Sequence, residues 1–225
     1  MAKIIVFGTG KVADVLYHHI IASKQHEIVA FTADAEHVSV AASFHNLPVV
    51  PFDRVTESFP PERFQMLVAI GYHDLNALRA SRYERAKAKG YTMASYISER
   101  ACVGDWLVAG DNCVILDGAT VEPGVRLGNN VVLWSNVLIG HHTTLADHVW
   151  IAANSTFGGS AFLGERSFVG LGVTVGHEVE IGEQSFLGSG AIVTKCADAK
   201  SVFIEKNTEL FRLNSDMYMK ISKLR

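Results

Sequence analysis

The chain has 225 residues, 48% of them hydrophobic and 19% charged, and 20 basic against 23 acidic side chains leave a formal net charge of −3. Such a composition builds one large or two small packed domains and excludes a disordered chain. It also argues against binding nucleic acid by phosphate neutralisation. Three cysteines, Cys102, Cys113 and Cys196, form no CxxC, which argues against a disulfide framework or a thiolate zinc site.

Lys3-Ile4-Ile5-Val6-Phe7 predicts a first strand. No signal-peptide layout precedes it and no stretch approaches roughly 18 consecutive apolar residues, so a soluble cytoplasmic protein with no membrane partner is expected. Gly8-Thr9-Gly10 follows, and Val12, Val15, Leu16 and Ile20 mark one face of a helix from Lys11 to about Ser23. Further strands are expected at Glu27–Thr32, Leu47–Val50 and Met66–Ile70, the last closed by Gly71. A helix from about Leu75 to Lys89 ends where Gly90 supplies a C′ residue. Alternating strands and helices make residues 1–96 a Rossmann-like α/β domain with a parallel sheet.

Gly8, Gly10 and Ala13 form G-x-G-x-x-A between strand and helix, the context for holding phosphate at a helix N-terminus. Asp34, ending the second strand, stands where an acidic residue commonly meets a ribose, and Gly71 and Tyr72 follow at the carboxyl edge of the same sheet. A plain tight turn at the glycines and a packing role for Tyr72 are the competing readings. About 96 residues are too few for both halves of a dinucleotide fold, which favours a mononucleotide-linked sugar over NAD.

From Val103 the rhythm changes to six. Every sixth residue from Val103 to Val193 is apolar, sixteen in a row, which chance at this composition gives roughly once in 10⁵. Ten of the chain's 19 glycines directly follow a residue of that column. The period signals a hexapeptide-repeat parallel β-helix in which three hexads form one triangular coil of about 18 residues. Fifteen hexads from 103 to 192 give five coils with no inserted loop. The column glycines are expected to relieve backbone crowding at the turns, with positive φ there.

Leu133-Trp134-Ser135-Asn136-Val137-Leu138-Ile139-Gly140-His141-His142, preceded by a small nucleotide-binding-like domain, resembles bacterial sugar acyltransferases of the left-handed β-helix type. The nearest subgroup comprises N-acetyltransferases of nucleotide-linked amino sugars and sialic-acid O-acetyltransferase-like proteins. The resemblance implies a left-handed parallel β-helix over 97–205, a C-terminal tail over 206–225, and a homotrimer. It implies acetyl-CoA or another acyl-CoA in a groove between neighbouring β-helices, a nucleotide-linked amino sugar on the N-terminal domain, and no metal. It also implies that His141 is the base. The family follows that histidine with an acidic residue that orients it, whereas this chain has His142. The family's closing Gly-x-Pro-Ala turn is replaced by Val202-Phe203-Ile204-Glu205-Lys206.

Residues 18 apart stack, so the column through His141 reads Asp105, Pro123, His141, Gly159, His177. Gly159 above His141 is expected to leave a notch beside the imidazole and an approachable N–H for an oxyanion. His141 would take the proton of the attacking group, with direct transfer to the nucleophile and His142 beside it. Trp134 and Trp150 read first as interface or core residues, with Trp150 and His177 also candidates to border the CoA arm, while His148 reads as a surface or interface residue. The tail from Ser215 to Arg225, with Met217, Met219, Ile221 and Leu224, is expected to pack on the trimer rather than on a membrane surface. Two rival functions are a non-catalytic nucleotide-sugar-binding trimer and a γ-type carbonic anhydrase. The latter would share His141 and His177 but meets Gly182 at its third ligand position. N-acylation and O-acylation both remain open at this stage.

Overall fold

A computed structural model of the chain describes residues 1–38 and 42–222. The first sheet consists of β1 (Ala2–Phe7), β2 (His26–Ala33), β3 (Ser43–Phe44), β4 (Leu47–Pro51) and β5 (Gln65–Val68), in the order β3-β4-β2-β1-β5. All pairs are parallel except β3 with β4. Ile4, Ile5, Val6 and Phe7 are all buried, because the central strand of a parallel sheet is covered on both faces. Helix α1 (Lys11–Ser23) buries Ala13, Leu16 and Ile20 against one face. On the other lie the single-turn helix α2 (Val55–Ser58) and α3 (Ala77–Ala88), which contribute Val55, Tyr83 and Ala86 to its core. This is half of a doubly wound sheet. Two boundaries differ from expectation. The strand expected to reach Ile70 ends at Val68, and the helix expected from Leu75 starts at Ala77, because Asp74, Leu75 and Asn76 have φ of 51, 44 and 65° and make a left-handed turn.

The chain enters a three-sided left-handed parallel β-helix at β6 (Tyr96–Ile97), which pairs with Val114–Ile115. Each rung contributes a two-residue strand to each of three parallel sheets, and partners are 18 residues apart, as in Leu138 with Thr156 and Ile139 with Phe157. The sixfold apolar column points inward: Ile115, Leu133, Ile139, Leu145, Ile151, Phe157 and Leu163 are all 0% exposed.

The column glycines relieve crowding, as expected, but do not carry the positive φ. Positive φ falls two residues later, at Asn112, Gly118, Gly124, Asn130, Asn136, His142, His148 and onward along the coils. Most of the column glycines lie too close to the next rung to carry a side chain. A Cβ on Gly158 would sit 2.6 Å from His177 N, and one on Gly182 would sit 2.2 Å from Ala199 N.

One face of the prism is fused to the α/β domain. Tyr96, Val114, Val132, Trp150 and Phe168 point outward from it and join Ile4, Val6, Leu16, Ile20 and Leu67 in one core. Trp150 is therefore 3% exposed within a domain junction. Its expected place along a CoA groove is corrected: the ring is consumed by packing against Trp134, Tyr72 and the Arg79 guanidinium.

A polar seam runs beside that core. Arg79 of α3, 0% exposed, donates to the Asn130 backbone carbonyl, to Asn130 Oδ1 (2.8 Å), to Asn76 Oδ1 (3.0 Å) and to His148 O (2.8 Å). Asn112 Nδ2 donates to the same Asn130 Oδ1 at 2.8 Å, while Asn112 Oδ1 accepts from Val68 N at the end of β5. Those two donors fix the Asn130 amide, so its Nδ2 must donate to His148 Nδ1 at 2.9 Å. His148 is thus held as the neutral tautomer, and burial with the nearby Arg79 charge lowers its pKa to about 4. A histidine that titrates near 6.5 in the unfolded chain but near 4 in the folded one leaves the unfolded state binding more protons between those values. Stability is therefore full above about pH 6.5 and falls by at most about 3 kcal/mol as pH drops toward 4. Urea unfolding at pH 7 and pH 5 should show this loss, and His148→Gln should lose less over the same interval.

The last helix, α4 (Ser215–Ser222), exposes Met217, Tyr218, Met219 and Ile221. Leu224 and Arg225 lie outside the described residues. Among the described residues, no helix is long and apolar enough to cross a membrane.

Candidate active site

Two separate places carry chemistry. The first is a cleft of about 790 Å³ at the carboxyl ends of β1, β2 and β5, lined by Gly8, Gly10, Asp34, Gly71, Tyr72 and Arg82 among others. Gly8 has φ of 132°, and a Cβ there would lie 2.6 Å from Ala69 O, so only glycine fits. Gly10 caps α1 without a side-chain hydrogen bond, and a Cβ on it would meet nothing within 4 Å, so the first turn of the helix opens directly onto the cleft. Unpaired N–H groups at such a position attract an anion. Gly71 also lines the cleft, and a Cβ there would make only an ordinary 3.8 Å contact with Val12.

Asp34 reaches the cleft, but its carboxylate is already engaged. Oδ2 accepts from Arg82 at 2.6 and 2.9 Å, and Oδ1 accepts from Arg85 at 2.7 Å. Burial pushes this carboxyl up, and the two guanidiniums outweigh burial and hold it below the usual carboxylate range. Asp34 lines the cleft at the expected end of β2, and it also holds Arg82 there. That arginine carries no motif, and only the fold brings it 48 residues along the chain to Asp34. Tyr72 is 52% exposed and rests on Phe168 and Trp150, with centroids 4.4 and 5.5 Å away. It both packs and lines the cleft.

The second place is the corner of the prism after Leu138–Ile139. His141 Nδ1 lies 3.1 Å from His142 Nδ1. The pair shares one hydrogen; on His141 Nδ1 it leaves the lone pair on Nε2, the tautomer a base needs. His142 takes the left-handed φ of 60°, and a Cβ on Gly124 one rung below would lie 2.7 Å from its ring. Glu122 Oε2 accepts from His141 N at 2.7 Å. Glu122 was not singled out from sequence, although a place one rung and one residue before His141 was the available signal.

Gly159 lies beside His141 as the 18-residue stack requires, but the notch is not vacant. The imidazole leans onto the glycine, so that a Cβ there would sit 2.5 Å from His141 Nε2. The tilt also brings the His141 and His177 rings to 6.0 Å, although they are two rungs apart. At some corners the N–H of this position is capped by a side chain, as at Asp111 by Asn129, at Asn129 by Asp147 and at Leu171 by Ser189. Gly159 N–H donates to no group among the described residues. A Gly159→Ala variant should therefore keep the fold yet displace the imidazole. We expect a far-ultraviolet spectrum like the wild type and at least a ten-fold loss of any activity that uses His141.

Within one chain these two places lie on opposite sides of the prism. The cleft abuts the face carrying Trp150 and Phe168, and the histidine corner is where the other two faces meet.

The "Bacterial transferase hexapeptide (six repeats)" family model matches residues 110–141. No curated protein sequence matches. Among solved structures, the acetyltransferase domain of PglB from Neisseria gonorrhoeae FA1090, also solved with acetyl coenzyme A, superposes with a TM-score of 0.77. It is 24% identical, over 87% of this chain and 93% of that one. A mutant of perosamine N-acetyltransferase from Caulobacter crescentus, in complex with CoA and GDP-perosamine, gives 0.81 at 21% identity, over 90% and 93%. WeeI from Acinetobacter baumannii AYE gives 0.76 at 17% identity, over 90% and 96%. At these identities the likeness is one of fold.

Proposed function

We propose that this protein is an acetyl-CoA-dependent N-acetyltransferase that acts on an amino group of a nucleotide-linked amino sugar. The carrying observation is the corner itself: an imidazole whose Nδ1 is held by His142, beside the uncapped N–H of Gly159. Two of the similar folds, solved with acetyl coenzyme A and with CoA and GDP-perosamine, support the same pair of substrates. The cleft holds the nucleotide, with phosphate at the N-terminus of α1 and Arg82 nearby.

The neutral amine attacks the thioester carbonyl, a C–N bond forms, and the carbonyl oxygen takes the negative charge. Gly159 N–H is the donor available to that oxygen. His141 Nε2 takes the proton from the attacking nitrogen, the C–S bond breaks, and the departing CoA sulfur is protonated. No step needs a covalent enzyme intermediate. Because cleft and histidine corner lie on opposite sides of one chain, the complete site combines the cleft of one copy with the corner of another. A homotrimer, with the exposed apolar residues Leu138, Phe162 and Ile192 at its seams, provides that pairing. A cytoplasmic location follows from the co-substrate.

Thiol release from acetyl-CoA, measured against GDP-, UDP- and dTDP-linked amino sugars and their hydroxyl counterparts, tests this reading. Saturable release with one amino sugar is the expected result. Saturation only with a hydroxyl sugar makes the protein an O-acetyltransferase, and no release with any acyl-CoA overturns the enzyme reading.

A further inference from the structure

Far from the histidine corner, three potential ligands converge on α1. Asp14 and His18 are one helical turn apart and share a face of α1. His45 comes from the tight turn between β3 and β4, where it and Asn46 have φ of 52 and 62°. His45 Nε2 lies 2.7 Å from Asp14 Oδ1, and His18 Nε2 lies 3.7 Å from the same oxygen. One ligand atom from each of the three residues falls within 4.8 Å of the others, and among the described residues this is the one such set. We infer that Asp14, His18 and His45 form a binding site for a divalent transition-metal ion of the zinc type.

The geometry suits that ion. Zinc holds nitrogen and carboxylate oxygen at roughly 2.0–2.2 Å, which in a tetrahedron sets ligand atoms about 3.4 Å apart. Observed separations of 2.7 and 3.7 Å bracket that value, so closing the site needs a shift of the Asp14 carboxylate away from His45 and a small rotation of His18, side chains that are 49% and 70% exposed. His45 is already oriented: its ring stacks on Tyr17 at 3.8 Å between centroids and 6° between planes. Phe44 packs edge-on against the same ring at 4.5 Å. Two imidazoles and one carboxylate leave a fourth position open toward solvent, the arrangement of sites that keep a bound water. Bound metal would clip the β3–β4 turn to α1, the helix whose first turn opens onto the cleft.

Purified full-length protein, stripped with chelator and titrated with Zn²⁺ in a calorimeter, gives the test, with Co²⁺ absorption as a second readout. One ion per chain is expected, with an upward shift in Tm. His18→Ala, on an exposed position that leaves the fold alone, and His45→Ala should each weaken binding at least ten-fold. A His141→Ala/His142→Ala double variant should bind as the wild type does. Absence of binding overturns the inference, and so does binding that survives His45→Ala or disappears with the corner histidines. In the first case the Asp14–His45 contact is only a hydrogen bond between turn and helix. None of these outcomes depends on acetyl transfer.

Discussion

Replacing His141 with alanine should lower kcat by about 10²–10⁴-fold, the range of a positioned general base, with much less change in KM for acetyl-CoA. The reasoning is local. The ring is exposed, its Nδ1 is tied to His142, its backbone N–H is tied to Glu122, and its remaining nitrogen lies over Gly159, whose N–H is uncapped. Nothing in the hydrophobic core touches it, so Tm should move by no more than a degree or two. The pH–rate profile offers an independent check. The wild-type profile should carry a dependence that is absent from the residual activity of the variant. Wild-type turnover in His141→Ala would remove the imidazole from the reaction and leave the corner as a surface turn.

Arg79→Ala should be the most damaging single change to stability, costing about 3–5 kcal/mol. The guanidinium is fully buried and donates across the domain junction to the Asn130 carbonyl and side chain, Asn76 Oδ1 and His148 O. Burial pushes its pKa down to about 9, so it remains charged at neutral pH. Alanine leaves the Asn130 and His148 carbonyls and Asn76 Oδ1 unpaired, with only Asn112 still on Asn130 Oδ1, and opens a cavity beside Trp150. Thermal unfolding should fall by about 6–20 °C for that cost. Arg79→Lys supplies charge without the planar fork and should recover only part of the loss. If Arg79→Ala melted within about 2 °C of the wild type, the seam would contribute little and the apolar junction alone would hold the domains together.

The β-helix was legible because its period belongs to one architecture. An apolar residue at every sixth place and glycine behind it leave no other way to bury a continuous core. Crowding at the column glycines was legible, but the place of the positive φ was not, since both select glycine. Only the backbone separates them, placing Asn130, His142 and Ser160 at the left-handed positions and Gly158 and Gly182 beneath neighbouring peptides. Pairwise facts across the fold were also hidden. Trp150 reads as an interface, core or groove residue until the first domain covers it. The two guanidiniums on Asp34, Arg82 and Arg85, come from a helix 48 and 51 residues away and left no local signal. His142 looked like the loss of an acidic partner, yet it supplies the Nδ1 contact itself.

Up to Val193 every rung is 18 residues and joins the next in the same register, with no loop interrupting the stack; only the closing rung, where Phe186 pairs with Val202, is shorter. A chain of this kind can gain or lose a whole turn without any core side chain changing its neighbours' type. Each such event would move the histidine corner along the prism axis relative to the first domain by one strand spacing, about 4.8 Å. The span between the two halves of the site is therefore adjustable only in fixed increments, a built-in ruler for the length of substrate that can bridge them.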